Sequence, residues 1–191
     1  MILAFDTSTS HVIAALLDGD RLFTRNEEMG RGQAERLMPL LEEILLEAGA
    51  RWQDITRIGV GVGPGNFTGI RISVSTARGL ALGLRVPAVG VSTFEVIHHG
   101  TPQAEAAVPA PRQQVYTCTP GGTPVLIEPH EGLTLPPAGA AWAAAIARVA
   151  AAKTPDQRPA PLYVRPADAA PSKEPPPVIL DDAGIGAPND T

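Results

Sequence analysis

The chain has 191 residues, 44% of them hydrophobic, one cysteine and a net charge of −5. That length can bury a core by packing alone, and a lone Cys118 excludes a disulfide framework or a cysteine-built zinc site. The acidic balance and the 4% aromatic content argue against a chain that carries nucleic acid through its overall electrostatics or an interleaved aromatic surface.

Ile2 to Phe5 reads as a short apolar strand that stops at the turn cluster Asp6-Thr7-Ser8-Thr9-Ser10. A second strand, His11 to Leu17, and a third, Arg21 to Thr24, flank the hairpin turn Asp18-Gly19-Asp20, so three antiparallel strands open the fold. From Ala34 to Ala48 the period changes. Leu37, Leu41, Ile44, Leu45 and Ala48 recur at three- and four-residue spacing opposite Glu42, Glu43 and Glu47, and Gly49 stops the helix. Pro39 lacks a backbone N–H, which only the first helical turn tolerates freely, so the start is expected near Glu35.

Arg57 to Val62 alternates like a strand and runs into the glycine loop Gly63-Pro64-Gly65-Asn66-Phe67-Thr68-Gly69. The following stretch alternates like a strand over Ile70, Ile72 and Val74. It also carries two ridges of small residues, Gly69-Ser73-Ala77-Ala81 and Ser75-Gly79-Gly83, and its length from 69 to 84 favours a helix. Val86 to Val91 is a further strand, and Ser92 with Glu95 forms a capping-box spacing for a short helix.

After residue 100 the composition shifts: 17 of 20 prolines follow it, whereas 13 of 19 glycines precede or occupy it. The reading is therefore a lobe at 1–100 and a reduced, proline-rich lobe at 101–191. Within the second, Gln114 to Thr119 and Thr123 to Glu128 suit a hairpin around Pro120-Gly121-Gly122, and Ala138 to Ala152 suits an alanine-rich helix. From Thr154 onward, and above all at Pro175-Pro176-Pro177, regular structure is not expected.

The chemistry in these residues is sparse. The glycine loop suits close backbone approach to phosphate at a helix start, but lacks the Gly-Lys-Ser/Thr and Gly-x-Gly-x-x-Gly patterns. A tight structural turn is the plainer reading. Asp6-Thr7-Ser8-Thr9 could hold a metal-bound phosphate or simply close a turn. His11, His98, His99 and His130 have no metal-ligand spacing, and Cys118 has no feature of a nucleophile, so no metal and no catalytic residue are expected. No apolar run reaches bilayer length and Met1 to Asp6 carries no basic leader, so a cytoplasmic protein without a membrane partner is expected.

Five blocks in order, Ile2–Thr9, Gln33–Pro39, Gly63–Arg71, Gly79–Gly83 and Gly90–Thr93, resemble the TsaB (YeaZ) family over residues 1 to about 98. The resemblance implies an α/β fold of the actin-like ATPase (ASKHA, RNase H-like) type, a mixed sheet flanked by helices, here with a shortened second lobe. It implies a non-catalytic scaffold subunit of the bacterial system that makes N6-threonylcarbamoyladenosine in tRNA. Its implied partners are a TsaD-like catalytic subunit in a heterodimer and a TsaE-like ATPase. In the family the same helices pair with the partner or with a second copy, so homodimer and monomer both stay open for the chain alone; tRNA is met only through the complex, and no cofactor of its own is implied. Asp6, Thr7 and Ser8 become a vestigial phosphate loop. Leu37, Leu41 and Ile44 of one helix, with Ser73, Ala77, Leu80 and Ala81 of the other, become the partner interface. The runner-up is a stand-alone actin-like ATP-binding phosphotransferase or ATPase; a peptidase ranks third.

The chain also departs from the family. Gln33 stands where the family has His. Pro109-Ala110-Pro111-Arg112-Gln113-Gln114-Val115-Tyr116 replaces the family's Asp-Ala-Arg-x-x-Glu-Val-Tyr, and Pro161-Leu162-Tyr163-Val164-Arg165 resembles its closing Pro-x-Tyr-x-Arg.

Overall fold

The computed structural model describes residues 1–164. Arg165 of the closing element and the Pro175–Pro177 run lie outside the described residues.

Strand β1 (Ile2–Asp6) alternates two apolar faces, and so does its neighbour β2 (His11–Asp18). Leu3, Phe5, Val12, Ala14 and Leu16 point to one face of the sheet, and Ala4, Ile13 and Ala15 to the other. Both faces must therefore be covered by helices. β1 pairs antiparallel with β2 and β2 with β3 (Arg21–Glu28), whereas β4 (Arg57–Gly61) and β5 (Ala88–Val91) join in parallel, giving the order β3-β2-β1-β4-β5. The third strand runs four residues beyond the expected Thr24, because the partner β2 is equally long. Its added residues are polar and sit at the sheet edge, a position that sequence alternation does not mark.

Helix α1 (Gln33–Ala48) and helix α2 (Phe67–Leu84) cover the first face. α1 begins two residues before the expected start, so Pro39 sits in its second turn and Glu35 carbonyl loses its i+4 donor. Both residues are exposed, so water can serve that carbonyl. Gly49 ends α1 in the left-handed region at φ 67°, its N–H closing back on the last turn. Arg36 ties α1 to the edge strand, Nε donating to Glu27 at 2.7 Å, while Nη1 donates to Glu43 within α1 at 2.6 Å. α2 is helical as the small-residue ridges require, and Asn66 Oδ1 caps it by accepting from Gly69 N–H at 2.9 Å.

The other face is covered by α4 (Gly139–Ala152), whose Ala143, Ile146, Ala147 and Ala150 meet Ala4, Ala15 and Val91. Small residues on both sides let the helix lie close. A Cβ on Gly59 would come within 2.7 Å of Ala150 Cβ. Arg57 Nη1 then donates to the carbonyls of Ala150, Ala151 and Lys153 at 2.7, 2.9 and 3.1 Å, serving acceptors the helix end leaves open.

Between these, α3 (Thr93–Gly100) starts on the Ser92–Glu95 capping box. It packs Phe94 and Ile97 on a second, antiparallel sheet of β6 (Ala106–Pro109), β7 (Val115–Cys118) and β8 (Val125–Ile127). The hairpin of β7 and β8 is as read, whereas β6 was hidden by its Ala-Ala-Val-Pro composition.

Candidate functional site

The parallel strands β1 and β4 end side by side, which brings the Asp6 turn under the glycine loop. Ser8 N–H donates to Asp6 Oδ1 and Asn66 N–H donates to Ser8 carbonyl at 2.7 Å. Thr7 N–H donates to Ser73 Oγ at 2.9 Å, and Thr7 Oγ1 donates to Gly69 carbonyl at 2.7 Å. The glycines of the loop are the space this contact needs. A Cβ on Gly61 would overlap the Asp6 carboxylate, one on Gly69 would overlap Thr7 carbonyl, and one on Gly65 would lie 2.7 Å from Ser8 carbonyl.

Asp6, Thr7 and Ser8 are consequently brought together but buried, Asp6 being 2% exposed. Burial pushes the Asp6 carboxyl up to about 6, against the opposing pull of hydrogen bonding from Ser8. Asp6 Oδ2 and Ser8 Oγ have no hydrogen-bond partner. Among the described residues, no group of three or more His, Cys, Asp or Glu could hold a metal ion, and no helix is long and apolar enough to cross a membrane.

The seven residues expected at a partner surface divide by burial. Leu37, Leu41, Ile44, Ser73 and Ala77 are fully buried in the chain's own core and present no surface, because the inward faces of both helices meet the sheet. Leu80 and Ala81 are only partly buried. The surface of the two helices is made by other residues. Leu46 and Leu82 are each 82% exposed, Met38 is exposed, and Gly79 and Gly83 have open space where a Cβ would stand. Alternating burial along a helix separates these sets, but only after the sheet has fixed which face points in.

Two features escaped sequence reasoning. Gln33 opens α1 and its Nε2 donates to the carbonyls of Thr9 and His11 at 2.7 and 3.2 Å, binding the helix start to the Asp6 turn. The residues after α4 form a strap that returns along α2. Lys153 Nζ donates to Glu95 at 2.6 Å and to Gly90 carbonyl at 2.9 Å, Arg78 Nε donates to Pro159 carbonyl at 2.7 Å, and Leu162 N–H donates to Val62 carbonyl at 2.7 Å. Burial pushes the Glu95 carboxyl up, but Lys153 and the Ser92 amide outweigh it and hold Glu95 below its usual value. Tyr163 ends the strap stacked on Phe67, ring centroids 5.0 Å apart.

A family model described as "TsaD: tRNA N6-adenosine threonylcarbamoyltransferase" matches residues 26–127. Over 121 residues the chain is 36% identical to the "tRNA threonylcarbamoyladenosine biosynthesis protein TsaB" of Escherichia coli (strain K12), covering 60% of this chain and 52% of that protein. The chain thus spans about half the length of that curated relative. A crystal structure of an uncharacterized protein with similarity to peptidase YEAZ from Pseudomonas aeruginosa superposes with a TM-score of 0.71 at 25% identity, covering 86% of this chain and 99% of that one. YeaZ from Pseudomonas aeruginosa superposes at 0.67 and 24% identity over 85% and 98%, a likeness of fold.

Proposed function

This chain belongs to the TsaB (YeaZ) family, with its actin-like ATPase fold, and on that premise we propose that it acts in threonylcarbamoyladenosine biosynthesis as a non-catalytic scaffold subunit. It pairs with a TsaD-like catalytic subunit and gives a TsaE-like ATPase a docking surface. The observation that carries this reading is the exposed outer face of each helix, Leu46 on α1 and, on α2, Leu82 beside the open positions Gly79 and Gly83. Exposed leucines beside small residues suit a second helix pair laid close on the first. We place the interface on those outer residues together with Leu80 and Ala81, and assign the buried Leu37, Leu41, Ile44, Ser73 and Ala77 to holding the two helices in position.

The alternative, a stand-alone ATP-binding phosphotransferase, requires phosphate to reach the Asp6 turn. Gly61, Gly65 and Gly69 press the loop backbone into that space, which speaks for the scaffold.

The test is co-purification with the TsaD-like subunit, comparing the wild type with Leu46→Glu and Gly83→Trp. Both variants keep the core and are expected to lose the partner; retention of the partner by both folded variants overturns the assignment. Calorimetry with magnesium ATP decides the alternative, since heat of binding that disappears in Asp6→Asn would favour it.

A further inference from the structure

Between Asp54 and Glu95 the chain has no acidic residue and four arginines, Arg57, Arg71, Arg78 and Arg85, although its net charge is −5. The last three recur every seven residues along α2 and its C-terminal cap, and all three are exposed. Two helical turns separate each from the next, about 10 Å, so they lie along one line of the helix. The ridge of Ser75, Gly79 and Gly83 runs beside this line, not on it.

The strap builds a wall along the arginine line. Arg71 Nε donates to Tyr163 Oη at 3.1 Å, and Arg78 Nε donates to Pro159 carbonyl. Each bond uses Nε, and among the described residues no hydrogen bond occupies the terminal guanidinium nitrogens of Arg71 or Arg78. Between strap and helix runs a groove of 720 Å³ lined by Arg78, Leu82, Pro87, Arg158 and one acid, Asp156. At the N-terminal end of the line stands an aromatic platform. Phe67 and Tyr163 are stacked, 38% and 39% exposed, and the Arg71 guanidinium lies 3.9 Å from the Phe67 ring centroid.

We propose that this face, from the Phe67–Tyr163 platform along Arg71, Arg78 and Arg158, binds a single-stranded RNA segment directly. The half-exposed Tyr163 ring at the edge of the platform can stack a base, and Arg71, exposed on the helix, with Arg78 and Arg158 in the groove, can meet phosphates. The overall negative charge does not oppose this at contact range, because salt screens charges beyond about 8 Å while the nearest groups are cationic. An acidic protein segment would use the arginine line but gain little from two stacked, half-exposed rings. The inference goes beyond the scaffold role, in which tRNA is met only through partners; Gly79, Ala81 and Leu82, placed at the partner interface, also line this groove, so it is tested on the isolated chain, where either reading can fail alone.

The experiment is fluorescence anisotropy of the full chain with a labelled single-stranded oligoadenylate across a salt series. The expected result is binding whose logarithm falls linearly with log salt, by about 0.7 for each phosphate contact. Arg71→Gln with Arg78→Gln is expected to weaken it by about tenfold at low salt and to flatten the slope. Tyr163→Ser is expected to weaken it with the slope unchanged, and Tyr163→Phe, which keeps the ring, to retain it. Thermal melts establish that each variant is folded. Absence of binding at low salt, binding unaltered in the folded double variant, or displacement by polyglutamate as effective as by unlabelled RNA would each overturn the proposal.

Discussion

Asp6 is held in the fold at a cost to stability. Its carboxyl is buried with Oδ2 unpartnered, and its value of about 6 lies above the ordinary 3.8. Between those values the folded chain holds a proton that the unfolded chain releases, so stability falls as pH rises through this window and levels off above about 6. Asp6→Asn keeps an acceptor for Ser8 N–H and removes the charge. It is expected to abolish that slope and to add about 3 kcal/mol at neutral pH, read from urea unfolding on either side of the window. An unchanged slope would show that another group titrates there. Gly61 tests the same contact sterically. Gly61→Ala forces a methyl into the carboxylate and is expected to cost about 3 kcal/mol or more, partly recovered in combination with Asp6→Ala, which removes two of the three colliding atoms. None of this could be read from Asp-Thr-Ser beside Gly-Pro-Gly. The residue types were visible, but the parallel pairing of β1 with β4 decides that they fill each other's space.

Among elements, α3 was the most legible. Ser92 and Glu95 at capping-box spacing predicted its start, and both reciprocal bonds are present. Ser92→Ala is expected to cost about 1 kcal/mol in thermal or denaturant unfolding. Glu95 has the opposite sign to Asp6. Held below the usual 4.5, it contributes stability that is present above that value and lost as pH falls through its lower folded value. Glu95→Gln is therefore expected to flatten the acid limb of the stability profile while leaving the window of Asp6 in place. For α1 and α2, periodicity located the helices and their apolar stripes. It could not say whether a stripe faces the sheet or a partner, since both demand apolar or small residues. The distinction is measurable: Leu46→Glu is expected to change stability by less than about 0.5 kcal/mol, whereas Leu41→Glu, a charge in a sealed core, is expected to prevent folding.

At the scale of the molecule, the shift from glycine to proline near residue 100 does not coincide with a boundary of packing. α4 comes from the proline-rich half and covers the second face of the first sheet, against Ala4, Ile13 and Ala15 from the opening strands. The strap that follows it closes over α2 and the end of β4. We propose that residues 1–100 depend on this return. A chain cut at residue 100 is expected to lack a cooperative thermal transition and to bind a hydrophobic dye, whereas a chain ending at residue 164 is expected to melt cooperatively.

The sequence by itself determined the order and type of most elements, because period, caps and turn residues are local properties, and its ordered blocks were enough to place the family. The tertiary structure alone decided which faces are inside, that three glycines are the space for one turn, and that the segment after α4 returns to α2. Those are contacts between residues some sixty to ninety positions apart, such as Thr7 with Ser73 and Arg71 with Tyr163, and no local pattern encodes them. Gly59, Gly61, Gly65 and Gly69 of the first half serve close approach, and Pro155, Pro159 and Pro161 lie in a strap whose polar groups bond back to the lobe it crosses.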